Sequence, residues 1–485
     1  MKHPNLSVAG LLLVVLIVVA AGLRFIGTAE SPPGFYIDEA AISAQVICVR
    51  QSAQNLQGEH LPLLTEVLGG GYVTPSYLYP AVAWTFIFGD SIASFRSLTA
   101  LFSILFILGS FVLGWRVWRS TEAAWLCALS AALSPWVFQF ARIAWDPSLA
   151  PTYMVWAFAL LWTTREKFRW VELSVSGVLF SLAAYCYPPL RVQLAIMLPF
   201  AILGLVFVYK RDWKLYLVPI ATAFVVATPL IKKTVSGEIQ GRFEMLSVFN
   251  KAYLMQTYGS ATLWDGFRAL AANFYLLLSP SYLFLHGDAN LRHSTGSIGI
   301  WSWLDCLGIG AGLIAIFIIA ARRSELKLAK FQSAFVIVGY LTGILPAAMT
   351  WESNPHALRS FGAVTFLVLG VGGGLRILWV QSRSLRSCIV GVAFVSFLLF
   401  VHVYFVDYPK VAGPWFDSQI TDLAKQLASE NRLMKMNGEL KARGIDYSPM
   451  AVAYYQLADG AIRCPVKTLS EMPPQTPPET SPDIH

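Results

Sequence analysis

Charge is what this sequence has least of. Asp, Glu, Lys and Arg make up 13% of its 485 residues, about half the share of an ordinary water-soluble domain. Too little polar surface is left to cover a soluble shape, which excludes a soluble globular protein and makes lipid the main solvent. The six cysteines form no CxxC pair, so the usual metal-binding spacings are missing. There is no Walker-type phosphate loop, no GxGxxG after a strand and no large cytoplasmic domain, which excludes nucleotide-driven chemistry. No internal repeat is found, which counts against a transporter built from inverted repeats.

What is abundant is apolar. Hydrophobic residues make up 56% of the chain and aromatics 14%, with 16 Trp, an excess that suits the belts at membrane interfaces. The net charge of +8 does not indicate a nucleic-acid partner. The Lys and Arg fall in short clusters between apolar runs, the pattern of loops retained on the cytoplasmic side.

The fold class expected is an all-α polytopic membrane protein of about eleven transmembrane helices, each near the ~20 residues a bilayer demands. The first run, residues 7–27, follows Lys2 and His3. It is long for a signal peptide and shows no clear small-residue cleavage site, so it reads as a retained helix. Further spans are expected at 92–115, 122–141, 149–164, 171–187, 192–209, 214–231, 299–320, 331–350, 358–380 and 388–406. With the N-terminus in the cytoplasm, one set of loops carries Arg116 and Arg119; Arg165, Lys167 and Arg169; Lys210, Arg211 and Lys214; Arg322, Arg323 and Lys327; Arg383 and Arg386. Every cytoplasmic turn is then basic. Residues 77–88 are apolar but short, and are read as a helix lying at the membrane surface.

Two regions follow: a transmembrane domain, 1–406, with outer loops 28–91 and 232–298, and a small extracytoplasmic C-terminal segment, 407–485. The first outer loop is expected to hold an amphipathic helix over 37–57 and a turn at Gly69-Gly70-Gly71. The last segment shows a helical pattern at Ile420, Leu423 and Leu427, capped at Asp417 or Ser418. It ends in a Pro-rich tail from Pro473, expected to be disordered. Cys127, Cys186, Cys306 and Cys388 lie in spans as packing residues. Cys48 and Cys464 lie outside them, where an oxidising compartment allows a disulfide.

The polar clusters gather on the outer side, in five loops. Asp38 and Glu39 are adjacent carboxylates in an apolar, aromatic setting. On a helix, neighbours point about 100° apart, so one faces a reaction while the other meets a metal or a base. The alternative is an acidic helix N-terminus. Arg142 and Asp146 share a short turn, as a surface ion pair or as part of a site. Residues 279–294 bring His286, Asp288, Arg292 and His293 together. An Arg fork suits phosphate, whereas the His and Asp spacing matches no standard zinc pattern. Glu352, His356 and Arg359 follow span nine. Arg359 lies inside an apolar span and needs an anion, from Glu352, another outer acid or a ligand phosphate. Arg191, on a further outer turn, is a snorkelling anchor or another phosphate contact. If the helices bundle, acids and cations converge on one cavity open to the outer leaflet. A carboxylate there accepts a proton from an attacking hydroxyl and the cations hold a phosphate leaving group.

In these residues the chain resembles the GT-C superfamily of polyprenyl-phosphate-dependent glycosyltransferases, in its protein-mannosyltransferase-like and aminoarabinose-transferase-like branch. The resemblance runs over about residues 10–380. It rests on Asp38-Glu39 in the first outer loop, Arg142 and Asp146 after span three, Phe284-Leu285-x-x-Gly287-Asp288-x-Asn290-x-Arg292-His293, and Glu352-x-x-Pro355-His356-Ala357-Leu358-Arg359. It implies a membrane enzyme that moves a hexose or pentose from a polyprenyl-phosphate donor to an extracytoplasmic protein, lipid or glycan, with inversion. Asp38 would be the base or position the acceptor, with Glu39 beside it and Asp146 as a second acid. Arg292, His293, His356 and Arg359 would hold the lipid phosphate. The acids allow a divalent metal, with no ligand set identified. The chain departs from the aminoarabinose branch, whose first loop carries a Glu-Lys-Pro-type stretch. It has Tyr72-Val73-Thr74-Pro75-Ser76 instead, so lipid A is not the expected acceptor. A flippase of lipid-linked sugars would use the same cations without needing Asp38 as a base. A structural subunit would leave the five charged clusters without a role.

Overall fold

The computed structural model describes residues 8–67, 71–163, 169–236, 241–321 and 327–464. Gly69 and Gly70 of the expected turn, the Pro-rich tail and the basic residues Arg165, Lys167, Arg322 and Arg323 lie outside them. The protein is an all-α polytopic membrane protein. The described residues hold a single two-stranded antiparallel ribbon, in which Thr65 pairs with Val73.

The helices, in chain order, begin with α1 (Val8–Leu23), α2 (Ile37–Ser52), α3 (Pro75–Phe88), α4 (Ile92–Trp118), α5 (Thr121–Leu133), α6 (Pro135–Phe140) and α7 (Ala150–Leu161). Then come α8 (Arg169–Cys186), α9 (Pro188–Phe207), α10 (Leu217–Val235), α11 (Gly241–Leu246), α12 (Lys251–Tyr258) and α13 (Leu263–Leu277). The last are α14 (Trp303–Ala321), α15 (Lys327–Ala348), α16 (Val364–Trp379), α17 (Arg383–His402), α18 (Tyr408–Ala412), α19 (Ser418–Ser429), α20 (Met436–Ala442) and α21 (Pro449–Ala458). Each of the eleven expected spans coincides with a helix. Among the described residues, six helical stretches are long and apolar enough to cross a membrane: Ile92–Trp118, Pro188–Phe207, Trp213–Val235, Lys327–Ala348, Phe361–Trp379 and Arg383–Phe416. Gly10–Leu23, Thr121–Leu133 and Trp303–Ile318 are shorter apolar helices. The span expected at 122–141 is broken at Ser134-Pro135. The Ser134 side chain accepts from Val137 N–H and Pro135 takes the first helical position of α6, where a missing N–H costs nothing.

The chain forms two compact units. The first comprises residues 1–26, 100–141 and 147–408. Its centre is α16, in which Val364 to Leu369 are all buried, as a helix surrounded by other helices requires. Backbones of α14 and α16 approach so closely that a Cβ on Gly374 would lie 1.9 Å from the Gly308 carbonyl oxygen. Small residues permit this contact in a lipid solvent, where packing and not water exclusion drives helix association. Arg24, wholly buried, donates to Ser103 Oγ at 2.8 Å and to the Ala20, Ala131 and Ala132 carbonyls.

The second unit comprises residues 27–99, 142–146 and the chain from 409 on. It therefore unites the first outer loop with the C-terminal segment. α2 is its core. The expected amphipathic helix is instead buried without a break from Glu39 to Val49, because α3 and α21 both pack on it. It ends at Ala53, whose φ of +57° stops the helix. Cys48 and Cys464 are joined by a disulfide, with Cα atoms 5.2 Å apart. The pattern at Ile420, Leu423 and Leu427 forms α19, and all three side chains enter a small apolar core with Leu433, Met436, Leu440 and Val452.

Candidate active site

The carboxylates of the second unit stand on a loop pinned by two buried arginines. Arg96 Nη1 donates to the Thr28 and Pro32 carbonyls at 3.1 and 2.7 Å, and Nη2 to the Gly34 carbonyl at 2.8 Å. Arg142 Nε and Nη2 donate to the Ser31 carbonyl at 3.0 and 2.7 Å, and Nη2 to that of Gly27 at 2.7 Å. Arg142 is thus not a surface residue. Its side chain is wholly buried and organises backbone.

Glu39 completes the frame. It accepts from Arg96 Nε at 2.9 Å and Nη2 at 2.8 Å, from Ala144 N–H at 2.8 Å and from Tyr36 N–H at 3.2 Å. The last bond makes it the acidic N-terminal cap considered for the pair. Both oxygens are taken and the side chain has no solvent exposure. It ties the turn at 142–146 to the head of α2. The C-terminal segment also takes part. Asp417 accepts from Ile37 N–H at 2.8 Å, and Thr421 Oγ1 from Phe35 N–H at 2.9 Å. Asp417 precedes α19 as expected, but its carboxylate caps α2.

Asp38 and Asp146 are what this frame presents, and both are partly exposed. Asp38 stands in the first turn of α2, where the helix dipole favours a negative charge. Burial, and then the charge of nearby Asp38, push the Asp146 carboxyl well above its ordinary range. Two carboxyls close enough to repel cannot both ionise freely, so one tends to hold a proton. The Tyr36 and Trp145 rings meet edge to face, 5.5 Å apart, beside them.

The first unit carries its own cluster. Asp288 Oδ1 accepts from Asn290 N–H at 2.9 Å, and Oδ2 from Ala357 N–H at 2.8 Å. Oδ2 also lies 2.9 Å from His293 Nδ1 and 4.0 Å from His356 Nδ1. The two imidazoles face each other with centroids 4.6 Å apart. His356 Nδ1 accepts from Arg359 N–H at 3.3 Å. Burial, with the neighbouring His293, Arg359 and Arg292, pushes His356 well below its ordinary value. Asn290 Oδ1 accepts from Arg292 N–H and Nε at 3.0 and 3.1 Å. The loop is held by Gln139, whose amide donates to the Leu291 and Arg292 carbonyls. Arg359 finds the anion it needs in Glu352, 2.7 Å away, and also donates to Thr350 Oγ1 at 2.9 Å and the Glu352 carbonyl at 2.8 Å.

Asp288, His293 and His356 bring three ligand-type atoms within 4.8 Å of one another. The expected partner of Asp288 and His293 was His286. That residue is exposed and stands outside the cluster, and His356, 63 residues further along than His293, takes its place. Arg191 donates from Nε to the Ala184 carbonyl at 3.0 Å, closing the end of α8. Sequence reasoning missed Arg96. The available signal was a cation four residues past the start of an apolar helix, which must have an anion.

No protein-family model matches the sequence, and no curated protein matches it. Solved structures do. The archaeal oligosaccharyltransferase AglB from Archaeoglobus fulgidus, in complex with an inhibitory peptide and a dolichol-phosphate, superposes with a TM-score of 0.50 at 14% identity, over 90% of this chain and 60% of that one. The Archaeoglobus fulgidus oligosaccharyltransferase in complex with Zn and sulfate gives 0.52 at 14%, over 86% and 55%. ArnT from Cupriavidus metallidurans bound to undecaprenyl phosphate gives 0.44 at 16%, over 87% and 81%. The chain therefore spans little more than half the length of the oligosaccharyltransferase structures. At these identities the likeness to them is one of fold.

Proposed function

We propose that this protein is a membrane glycosyltransferase. It moves a sugar from a polyprenyl-phosphate donor to an extracytoplasmic acceptor, with inversion. The observation that carries this reading is the pair Asp38 and Asp146, two partly exposed carboxylates presented by a frame of buried arginines. The shared fold supports it, since the archaeal oligosaccharyltransferase has been solved with a dolichol-phosphate and with an acceptor peptide containing the NVT sequon.

In this reading Asp38, at the head of α2, accepts the proton of the attacking hydroxyl as that oxygen bonds to the anomeric carbon and the bond from that carbon to the lipid phosphate breaks. Asp146 positions the acceptor. Glu39 and Arg142 keep the Asp38 loop in place. Arg292, His293 and Arg359 hold the phosphate that departs, His356 donates to it through its free ring nitrogen, and Asp288 orients His293. Arg191 and His286 are further phosphate contacts in this reading.

The donor sets fit a divalent cation unequally. The triad Asp288, His293 and His356 is flanked by Arg292 and Arg359, and its Asp and His356 ligand atoms already accept from protein N–H groups, so it suits an anion better. Asp38 and Asp146 offer the hard oxygens that a cation of the magnesium or manganese type takes, and they would hold it. Such an ion would supply positive charge to a ligand bound at these carboxylates. The basic loops support a cytoplasmic N-terminus and a site on the opposite side.

The test is lipid mass spectrometry on a strain lacking this gene, complemented with wild type or with Asp38→Asn. A polyprenyl-monophosphate sugar should accumulate in the deletion and with Asp38→Asn, and clear with wild type. Clearance by a normally expressed Asp38→Asn variant would favour a flippase.

A further inference from the structure

Tyr77 stands in the second unit on α3, which packs against α2. Its ring is wholly buried, and its hydroxyl is buried with no hydrogen-bond partner. Three residues earlier the Thr74 hydroxyl, at the N-cap of the same helix, is also buried without a partner. It makes no side-chain cap bond at the head of this helix, where a threonine normally makes one. Buried hydroxyls are normally satisfied, and one that is not asks for an explanation. The Tyr77 phenol lies in the field of Glu39 and Asp146, which together with burial keeps it protonated and so a donor.

The surroundings select what such a donor meets. Glu39 has no free lone pair to offer, since Arg96, Ala144 and Tyr36 occupy it. A phosphate is disfavoured beside two carboxylates. An ammonium group would satisfy the carboxylates but has no lone pair for the phenol. A hydroxyl does both, because it donates to a carboxylate and accepts from the phenol.

We propose that Tyr77 is a substrate-binding residue of the carboxylate site, its hydroxyl donating to a hydroxyl oxygen of the transferred sugar or of the acceptor while Asp146 accepts from that same hydroxyl. The inference rests on the glycosyltransferase reading.

The variant is Tyr77→Phe, which removes only the oxygen. If the oxygen serves substrate alone, the purified protein in detergent keeps its thermal midpoint or gains in it, while clearance of the accumulated sugar lipid slows by roughly tenfold or more. A structural hydroxyl would give the opposite pair of results: a lowered midpoint with clearance unchanged per folded molecule. The sugar lipid extracted from the deletion strain, and the same lipid after mild-acid removal of its sugar, then serve as thermal-shift probes. Loss of the extra shift given by the sugar-bearing lipid assigns the bond to a sugar hydroxyl. A retained shift with slowed clearance assigns it to the acceptor. Wild-type clearance by Tyr77→Phe, beside blocked clearance by Asp38→Asn, overturns this inference and leaves the glycosyltransferase reading standing. Absence of any accumulating sugar lipid overturns both.

Discussion

Arg96 and Glu39 form a two-pronged ion pair, at 2.9 and 2.8 Å, in which neither side chain has any exposure to solvent. Removing one member leaves a buried charge uncompensated, at a cost of about 3–5 kcal/mol. Arg96→Met is expected to lower the thermal midpoint of the purified protein steeply. Adding Glu39→Leu should restore part of the loss, because a buried pair can be replaced by apolar residues far more cheaply than it can be broken. Activity should not return with stability. The bonds from Arg96 to the Thr28, Pro32 and Gly34 carbonyls hold the Asp38 loop and are missing in both variants. A double variant less stable than Arg96→Met alone would show that the carbonyl bonds, rather than the pair, dominate.

The disulfide between Cys48 and Cys464 joins two residues of the second unit that are 416 residues apart in the chain. Cys127, Cys186, Cys306 and Cys388 are free thiols. Denatured protein treated with a maleimide-linked polymer should therefore gain four additions without reductant and six with it, read as steps on a gel. Cys48→Ser should cost about 2–5 kcal/mol of stability, seen as a lowered thermal midpoint. Six additions without reductant would place these two residues in a reducing compartment, against the expected orientation.

The helices were legible because a membrane writes them plainly: each expected span coincides with a helix. The break at Ser134-Pro135 was written too, in a cap residue followed by proline. The cost of an unpaired charge in an apolar span demanded an anion for Arg359, and Glu352, one of three candidates, supplies it; the same reasoning applied to Arg96 would have demanded an anion there too. What sequence could not supply was distance along the chain folded into contact. Asp417 reads locally as the cap of α19, yet its carboxylate serves Ile37, 380 residues away. His286 is near Asp288 in sequence, but the loop turns it outward and brings His356 in.

Gly34 has a φ of +91°, and a Cβ built on it would lie 2.2 Å from the Phe416 carbonyl oxygen and 2.8 Å from Ser418 Cα. No side chain fits there, and the left-handed backbone adds about 1–2 kcal/mol for any other residue. Gly34→Ala should loosen residues 416–418 from the Asp38 loop and remove the Asp417 cap on α2. The expected result is faster cleavage of the C-terminal segment in limited proteolysis, together with slower clearance of the sugar lipid. Unchanged proteolysis would mean that the C-terminal segment is held by the disulfide alone.

The pH dependence of stability should carry two opposed contributions. His356 has a folded pKa well below its ordinary value, from burial and from His293, Arg359 and Arg292. The unfolded chain therefore takes up this proton first. The stability linked to His356 is complete above the unfolded value of about 6.5 and is lost as pH falls from there towards the folded value. Asp146 has a folded pKa raised by burial and by Asp38, so the folded state binds its proton more tightly. Its contribution is complete below the unfolded value of about 3.9 and is lost as pH rises through the folded value. On acidification from about pH 8 to about pH 5, His356 destabilises the protein while Asp146 works against it. Thermal midpoints measured across that range should fall below about pH 6.5 in wild type, fall less in His356→Gln and fall more steeply in Asp146→Asn. The chain has seven histidines, and a wild-type slope retained by His356→Gln would assign the acid sensitivity to another of them.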